Sequence, residues 1–205
     1  MLFRSWAPNE VLYLYDSKVQ YAADRFSWSL REAEGCFVTE LSDSELRDLE
    51  PAVNTAGKFG VIANGWKSFT SPQRLTQELA RYFVHLGGTP HTGEVTHLKM
   101  TVGRVSSLHF SDGTDQKVHK LVVAGGCWAN KLLHQIGVRI PLAPLHGYHT
   151  DIQNSGIELS RAVIYAPGGF VNTPVETGLR IGGTVEIAPI DARPNFRREI
   201  GRAHV

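Results

Sequence analysis

The chain has 205 residues, of which 42% are hydrophobic and 20% are charged, and its formal net charge is +1. This composition is typical of a globular protein with one large core or two modest ones. The balanced charge, without a basic block, predicts no nucleic-acid partner, and no apolar run reaches the roughly 18 residues that a membrane-spanning helix needs.

Both ends of the chain can be back-translated into DNA that resembles sequencing adapters. Residues 2–5 can be read as CTC TTC CGA TCT, whose reverse complement overlaps a back-translation of residues 199–205. Such remnants carry no information about the fold. We therefore expect residues 1–5 and 199–205 to be non-native, and the chain to be an interior fragment of a longer protein.

The first third of the chain predicts two helices between two strands. Residues 11–15 and 59–63 form the strand-like runs. Residues 16–34 carry apolar side chains at helical spacing, with Asp16 as the cap, and Ser42 begins the second helix through a Ser-x-x-Glu capping box. We expect both strands to join the sheet predicted for the C-terminal third, because such a sheet needs several strands to be stable.

The middle of the chain predicts a helix, a hairpin and a buried strand. Ser71 and Pro72 occupy the N-cap and first positions of the best-defined helix. Two strand-like runs follow, at residues 95–102 and 104–110. Residues 121–124 then form an unbroken apolar run, which is typical of a strand buried on both faces.

Gly125 and Gly126 follow this run and lead into a short predicted helix, residues 129–135. Strand, glycine turn and helix together allow backbone N–H groups to approach an anionic ligand, although two glycines after a buried strand can also mark only a tight turn. The sequence contains no Gly-x-Gly-x-x-Gly. The block therefore suits the later half of a dinucleotide-binding domain whose first half is absent from the chain.

Helical signals end after Gly137, and four strand-like runs with Gly and Pro turns follow. The runs cover residues 147–152, 162–165, 170–172 and 179–187. This texture predicts an antiparallel sheet distinct from the preceding block. We therefore expect an α/β (α+β) fold overall.

Sequence motifs at four places stand in an order shared with one flavoprotein family. They are LSxxELxxLEP from Leu41, VVAGGCWA from Val122, PLxPxxGY from Pro141 and LRIGGTVE from Leu179. Over residues 8–198 they resemble FAD-dependent D-amino acid dehydrogenases, which belong to the D-amino acid oxidase and glycine/sarcosine oxidase superfamily.

The resemblance implies part of a FAD-binding Rossmann-like domain interleaved with a substrate domain built on a mixed or antiparallel sheet. It assigns residues 6–70 and 139–198 to the substrate domain and residues 71–138 to the second part of the FAD-binding domain. The glycine-rich segments that the family carries near its two ends are missing from this chain. We therefore expect the isolated fragment to be inactive.

The resemblance also implies a chemistry. FAD would be the cofactor, the Cα–N bond of a D-amino acid would be oxidised, a hydride would pass to the flavin, and an imino acid would be the product. A glycine/sarcosine-type amine oxidase and a 2-hydroxy acid dehydrogenase are alternatives within the superfamily, and a non-catalytic binding module is the alternative from another class. The electron acceptor, a quinone or oxygen, stays open. A cytoplasmic location is expected, with peripheral attachment to the inner membrane as an alternative.

The glycine turn would lie beside the pyrophosphate or ribose of FAD. Ala124, Gly125 and Gly126 suit that place, because a Cβ would hold the backbone away from the ligand. Val95 matches a position whose backbone contacts adenine in related flavoproteins, with an ordinary strand valine as the alternative. Trp128 matches an aromatic position of the family, with core packing as the alternative.

Arg180 is the sharpest candidate for a substrate contact. An arginine can bind the carboxylate of an amino acid bidentately, and Gly182 and Gly183 nearby would let a flat isoalloxazine ring approach. The alternatives are a solvated arginine, an ion pair with Glu186 or Glu176, and a β-bulge at the glycines.

Two further residues are candidate substrate contacts. Tyr148 would orient the substrate or simply pack, and His146 stands where the family usually has lysine or arginine. No catalytic acid or base is identified, and no hydrolase motif occurs. The histidines show no metal-ligand spacing, and the lone Cys36 and Cys127 favour a reducing compartment. We therefore predict no metal site.

Overall fold

The computed structural model describes residues 6–8, 10–69 and 71–197. Its strands are β1 (Trp6–Pro8), β2 (Val11–Tyr15), β3 (Val38–Leu41), β4 (Phe59–Ala63), β5 (Lys67–Phe69), β6 (Val95–Thr101), β7 (Arg104–Phe110), β8 (Asp115–Lys117), β9 (Leu145–Ile152), β10 (Val163–Tyr165), β11 (Phe170–Val175) and β12 (Gly178–Ile187). Its helices are α1 (Lys18–Ala23), α2 (Arg25–Ala33), α3 (Asp43–Leu49), α4 (Pro72–His85) and α5 (Ala129–Leu133), with 3₁₀ turns at Gly126–Trp128 and His134–Ile136. The segments predicted to be non-native, residues 1–5 and 199–205, lie outside the described residues.

Seven strands form one mixed sheet in the order β3-β4-β2-β10-β11-β12-β9. β2 pairs with β4 in antiparallel register and with β10 in parallel register, so strands from the first and last thirds of the chain lie side by side. The expectation that both early strands join the C-terminal sheet is confirmed. The β10–β11 and β11–β12 pairs are antiparallel, as predicted.

The described residues divide into two compact units. The first takes its described residues from the ranges Met1–Tyr82, Gly147–Val185 and Pro194–Val205, and it holds most of the seven-stranded sheet. The second takes them from Phe83–His146 and Glu186–Arg193. Each unit carries its own sheet, since β6, β7 and β8 of the second unit pair only with one another among the described strands.

In the second unit, Gln135 fastens the helical segment after α5 to β6. Its side-chain amide donates to the carbonyl oxygen of Thr96 at 2.8 Å, and its Oε1 accepts the N–H of Leu98 at 3.1 Å. β6 lies at the edge of its sheet, and these two bonds take the place of backbone hydrogen bonds to a further strand. They hold the segment that follows the glycine turn in a fixed place on the hairpin.

The first unit's sheet carries a hydrophobic core on each face. One face packs aromatic side chains of β2 against α1 and α2, where the indole N–H of the fully buried Trp28 donates to Tyr15 Oη at 2.8 Å. The opposite face packs Leu12 and Leu14 of β2 against Leu46 of α3. Both faces are filled because successive residues of a strand point to opposite sides of the sheet.

The helix predicted over residues 16–34 is two helices, and Ser17 rather than Asp16 caps the first. The break falls at Asp24, whose carboxylate accepts a hydrogen bond from Tyr15 Oη at 2.9 Å. The prediction of one continuous helix was wrong because a tertiary contact with the sheet holds the chain at the break. Helical spacing of apolar residues does not reveal such a contact.

Two predicted helix starts are confirmed. At α3, the N–H of Ser42 donates to Glu45 Oε2 at 2.8 Å, and Ser42 Oγ accepts the N–H of Glu45 at 3.4 Å, which completes the capping box. At α4, Ser71 Oγ accepts the N–H of Arg74 at 3.2 Å, and Pro72 is the first helical residue. Both caps close within a few residues of chain, so local sequence suffices to predict them.

The strand predicted over residues 121–124 is not present in the described structure. Residues 121–125 have no regular secondary structure, and Val122 is 86% exposed. A strand buried on both faces needs hydrogen-bonded neighbours, and no described strand pairs with this segment. The prediction was therefore wrong for this chain as described, because an apolar run becomes a strand only where neighbouring strands form hydrogen bonds with it.

Candidate substrate and cofactor sites

Arg180 lies in β12 and forms a bidentate ion pair with Asp151 of β9. Its Nε and Nη2 atoms donate to the two carboxylate oxygens at 2.7 and 2.8 Å. These hydrogen bonds raise the pKa of Arg180 and lower the pKa of Asp151, so both groups are charged near neutral pH. The sequence suggested a glutamate as the ion-pair alternative, but the observed partner is Asp151, and Glu176 pairs with Arg74 at 2.5 Å.

Gly182 and His149 lie on the same face of the sheet as this ion pair. A Cβ built on Gly182 would lie 3.4 Å from the Cβ of His149, and His149 Nε2 lies 4.0 Å from Asp151 Oδ1. Alternation along each strand puts Arg180 with Gly182, and His149 with Asp151. We call these four residues the Arg180 patch. The side chains of Arg180 and Asp151 are 37% and 35% exposed, so a solute can reach them.

Gly183 differs from Gly182 in what its surroundings require. Its φ is +144°, and a Cβ there would lie 2.4 Å from the carbonyl oxygen of Gly169 and 2.6 Å from the Cα of Phe170. The backbone of the β10–β11 turn therefore demands glycine at position 183, whether or not a ligand binds. At Gly182 a Cβ would make only ordinary contacts, so no such demand exists.

Tyr148 is buried in the first unit. Its Oη accepts the N–H of Asn195 at 2.9 Å, and its ring packs edge-on against Phe196 with ring centroids 6.5 Å apart. Alternation along β9 puts Tyr148 on the opposite face from Asp151. Tyr148 therefore does not share the face that carries Arg180.

Gly182 and Gly183 of the predicted cofactor contacts lie in the first unit, and the other five lie in the second; they are Val95, Ala124, Gly125, Gly126 and Trp128. The N–H of Trp128 donates to the carbonyl oxygen of Gly125 at 3.1 Å, which closes the turn. Gly126 has a φ of +54°, and no heavy atom lies within 4 Å of the place where its Cβ would be. Trp128 is 63% exposed and does not pack in the core of this unit.

Val95 and His146 lie elsewhere in the second unit. Val95 begins β6, where it stands opposite Phe110 of β7. His146 Nε2 lies 3.0 Å from the carbonyl oxygen of Pro189, a hydrogen bond in the tautomer that carries the proton on this nitrogen. The imidazole of His146 thus has a partner within its own unit.

A cavity of about 500 Å³ lies on the other face of the first unit's sheet, where Leu179 and Ile181 of β12 line it. At its edge Tyr165 Oη donates to Asp16 Oδ1 at 2.7 Å, and the ammonium of Lys58 contacts the same oxygen. The contact with Lys58, and then that with Tyr165, lowers the pKa of Asp16. Sequence reasoning missed this cluster because Asp16 is 42 and 149 positions from its partners, so no local pattern links them.

Two features are absent from the described part of the chain. No helix there is long and apolar enough to cross a membrane. No group of three or more His, Cys, Asp or Glu side chains there is arranged to hold a metal ion.

Comparison with known proteins places these features in a family. A family model described as DAO, FAD dependent oxidoreductase, matches residues 4–203 of the chain. The chain belongs to this family. The resemblance read from the motifs is confirmed, and FAD is the cofactor on which the family depends. The exposed turn fits that cofactor, because backbone N–H groups can approach a pyrophosphate where no Cβ intervenes.

Individual known proteins are similar to nearly the whole chain. A D-amino-acid oxidase of Bradyrhizobium diazoefficiens is 28% identical over 198 residues, which are 96% of this chain and 47% of that protein. A glycine oxidase from Geobacillus kaustophilus has a similar fold, with a TM-score of 0.79 and 20% identity over 97% of this chain and 54% of that one. An L-proline dehydrogenase from P. horikoshii also has a similar fold, with a TM-score of 0.78 and 18% identity over 97% of this chain and 56% of that one. These likenesses confirm the expected α/β fold with a mixed sheet. The chain spans about half the length of these relatives.

Proposed function

We propose that the protein is an FAD-dependent oxidoreductase that oxidises the Cα–N bond of D-amino acids. The observation that carries the proposal is the 28% identity to a D-amino-acid oxidase over 96% of the chain. The Arg180 patch adds a chemical argument, because a charged and accessible arginine matches the carboxylate that every amino acid substrate carries.

Arg180 would hold the substrate carboxylate. Asp151 occupies its Nε and one N–H of Nη2, which leaves Nη1 and the second N–H of Nη2. These remaining donors form the end-on fork of the guanidinium, whose spacing matches the two oxygens of a second carboxylate. The bare backbone of Gly182, next along the same face, leaves room for the rest of the ligand.

The cofactor contacts would come from backbone rather than from side chains. Ala124, Gly125 and Gly126 would line the pyrophosphate or ribose, with Val95 and Trp128 beside other parts of the cofactor. FAD, when bound, supplies the acceptor for a hydride equivalent from the substrate Cα, while the amine loses a proton and an imino acid results. The residues of this chain supply binding and orientation.

The test is anaerobic reduction of the flavin in the protein expressed from its complete gene. That protein should show the absorbance of an oxidised flavin, and D-alanine should bleach it whereas glycine, sarcosine and 2-hydroxyglutarate should not. Bleaching by glycine or sarcosine would indicate an amine oxidase instead, and bleaching by 2-hydroxyglutarate a 2-hydroxy acid dehydrogenase. A flavin that none of the four reduces would indicate a binding module.

The electron acceptor and the activity of the isolated chain are part of the same proposal. Reoxidation of the reduced flavin by oxygen or by a soluble quinone identifies the acceptor. We also propose that the 205 residues alone do not turn over substrate, since they span about half the length of the relative. Turnover of D-alanine by the 205-residue chain supplied with FAD would contradict that part.

A further inference from the structure

We propose that Asp151 is a positioning residue, which holds the guanidinium of Arg180 so that its end-on fork meets the substrate carboxylate. The inference rests on the proposed function, in which Arg180 binds that carboxylate. The two residues lie 29 positions apart, on the neighbouring strands β9 and β12. Only the register of the sheet brings them together.

The geometry of the pair fixes the orientation of the guanidinium as well as its place. Two hydrogen bonds, at 2.7 and 2.8 Å, join the side edge of the guanidinium to both oxygens of one carboxylate. A paired fork of this kind defines the plane of both groups, which a single contact does not. With its side chain 37% exposed, Arg180 would otherwise sample many rotamers.

The neighbours of the pair leave one side open for a ligand. Thr173 of β11 stands opposite Arg180 in the sheet, His149 Nε2 lies 4.0 Å from Asp151 Oδ1, and Gly182 adds no side chain. Next to Arg180 on this face, β12 therefore adds no side chain at Gly182, and the side chain of His149 borders that place. A small carboxylate can reach the end-on fork there without displacing Asp151.

Asp151 also carries a negative charge, which opposes the approach of a second carboxylate. This repulsion acts across the guanidinium in a solvent-exposed site, where water and salt weaken it over a Debye length of about 8 Å at physiological ionic strength. Without Asp151, the ligand itself would have to order the flexible arginine, which reduces affinity. We therefore expect a net loss of affinity when Asp151 is replaced, and the opposite sign would mean that repulsion dominates.

The test is the dissociation constant of propionate, a carboxylate that has no amine to oxidise. It is measured at physiological ionic strength on the flavin-containing protein expressed from its complete gene, by the change in flavin absorbance and independently by the shift in melting temperature. Asp151→Asn should raise this constant about tenfold, and it should raise KM for D-alanine by a similar factor with kcat within about twofold. Asp151→Glu, which keeps the carboxylate, should recover most of the affinity.

A matched control exists in the same unit. Arg74 and Glu176 form another exposed arginine–carboxylate pair, so Glu176→Gln should leave the dissociation constant of propionate unchanged. Arg180→Lys keeps Asp151 and the positive charge but removes the fork. It should raise the dissociation constant of propionate, as Asp151→Asn does. Asp151→Ser, which also removes the carboxylate and keeps Arg180, decides the question if Asp151→Asn does not fold.

The outcomes separate the positioning role from the proposed substrate. An unchanged or lower dissociation constant in Asp151→Asn, or an equal loss in Glu176→Gln, would overturn the role of Asp151, as would a wild type that binds no propionate. Failure of D-alanine to reduce the flavin, with propionate still weakened by Asp151→Asn, would overturn the D-amino acid substrate and support Asp151 as a carboxylate-positioning residue.

Discussion

Two arginine–carboxylate pairs of the first unit use the same chemistry in opposite surroundings. Arg161 and Glu50 are 17% and 2% exposed, and Ser160 donates to Glu50 through both its N–H and its hydroxyl. Arg180 and Asp151 are 37% and 35% exposed. The buried pair is closed by the protein itself, whereas more than a third of each side chain of the exposed pair is open to solvent.

This difference in burial indicates which pair stabilises the fold and which can bind a ligand. Arg161 joins Glu50 at 3.2 Å and Glu10 at 3.0 Å, residues more than a hundred positions earlier in the chain. Buried charges of this kind are tolerated only while every partner is present. An exposed pair adds little to the free energy of unfolding, but it can orient a charged group at the surface for binding a ligand. Substitutions in the two pairs should therefore separate stability from ligand binding.

The largest expected effect is on the buried pair. Arg161→Met leaves the carboxylate of Glu50 buried without its cationic partner, which should lower the free energy of unfolding by about 3–5 kcal/mol. Urea unfolding of the protein measures this loss. Glu10→Gln, which removes only the exposed partner of Arg161, is the control and should cost less than about 1 kcal/mol. A loss below 1 kcal/mol for Arg161→Met would show that the two pairs do not differ in this way.

The next effect contrasts the two glycines of β12. Gly183→Ala places a Cβ against the backbone of the β10–β11 turn, so it should lower the free energy of unfolding by about 1–3 kcal/mol. Gly182→Ala makes only ordinary contacts and should change stability by less than about 0.5 kcal/mol. The added methyl group beside Arg180 should nevertheless weaken propionate binding. Equal losses of stability in both variants would contradict the contrast.

The smallest effect is on the stability of the exposed pair. Asp151→Asn should lower the free energy of unfolding by less than about 1 kcal/mol at neutral pH. Arg180 lowers the pKa of Asp151 in the folded state, so this contribution is present above the unfolded pKa of about 3.9 and is lost as the pH falls through the folded pKa. Urea unfolding between pH 7 and pH 3 measures the difference between wild type and variant. A difference that grows toward low pH would have the wrong sign.

Local sequence predicted those features that close within a few residues. The capping box of Ser42 and the cap at Ser71 depend only on their own turn, and both are confirmed. The break at Asp24 depends on Tyr15 of the sheet, and the run at 121–124 depends on partner strands, so both predictions from local pattern were wrong. The spacing of hydrophobic residues gives no information about the tertiary contacts that decide where a helix breaks or whether a strand forms.

The candidate site was predictable to the same extent. Alternation along β12 put Arg180 and Gly182 on one face, but its pairing with Asp151 depends on strand order, which the sequence did not show. For Gly183, the sequence suggested cofactor contact or a bulge, whereas the structure adds a demand from the backbone of Gly169. The sequence showed that position 183 is a glycine, but only the neighbouring backbone of the folded protein shows why glycine is required there.

Replacement of Arg180 tests the central claim most directly. In the flavin-containing protein, Arg180→Ala removes the charge-assisted hydrogen bonds to the substrate carboxylate, each of which contributes about 1.5–3 kcal/mol. We expect kcat/KM for D-alanine to fall about 100-fold or more, mostly through KM, while the melting temperature stays within about 3 °C of the wild type because the pair is exposed. An Arg180→Ala protein that keeps the wild-type KM for D-alanine would contradict the claim that this arginine binds the substrate.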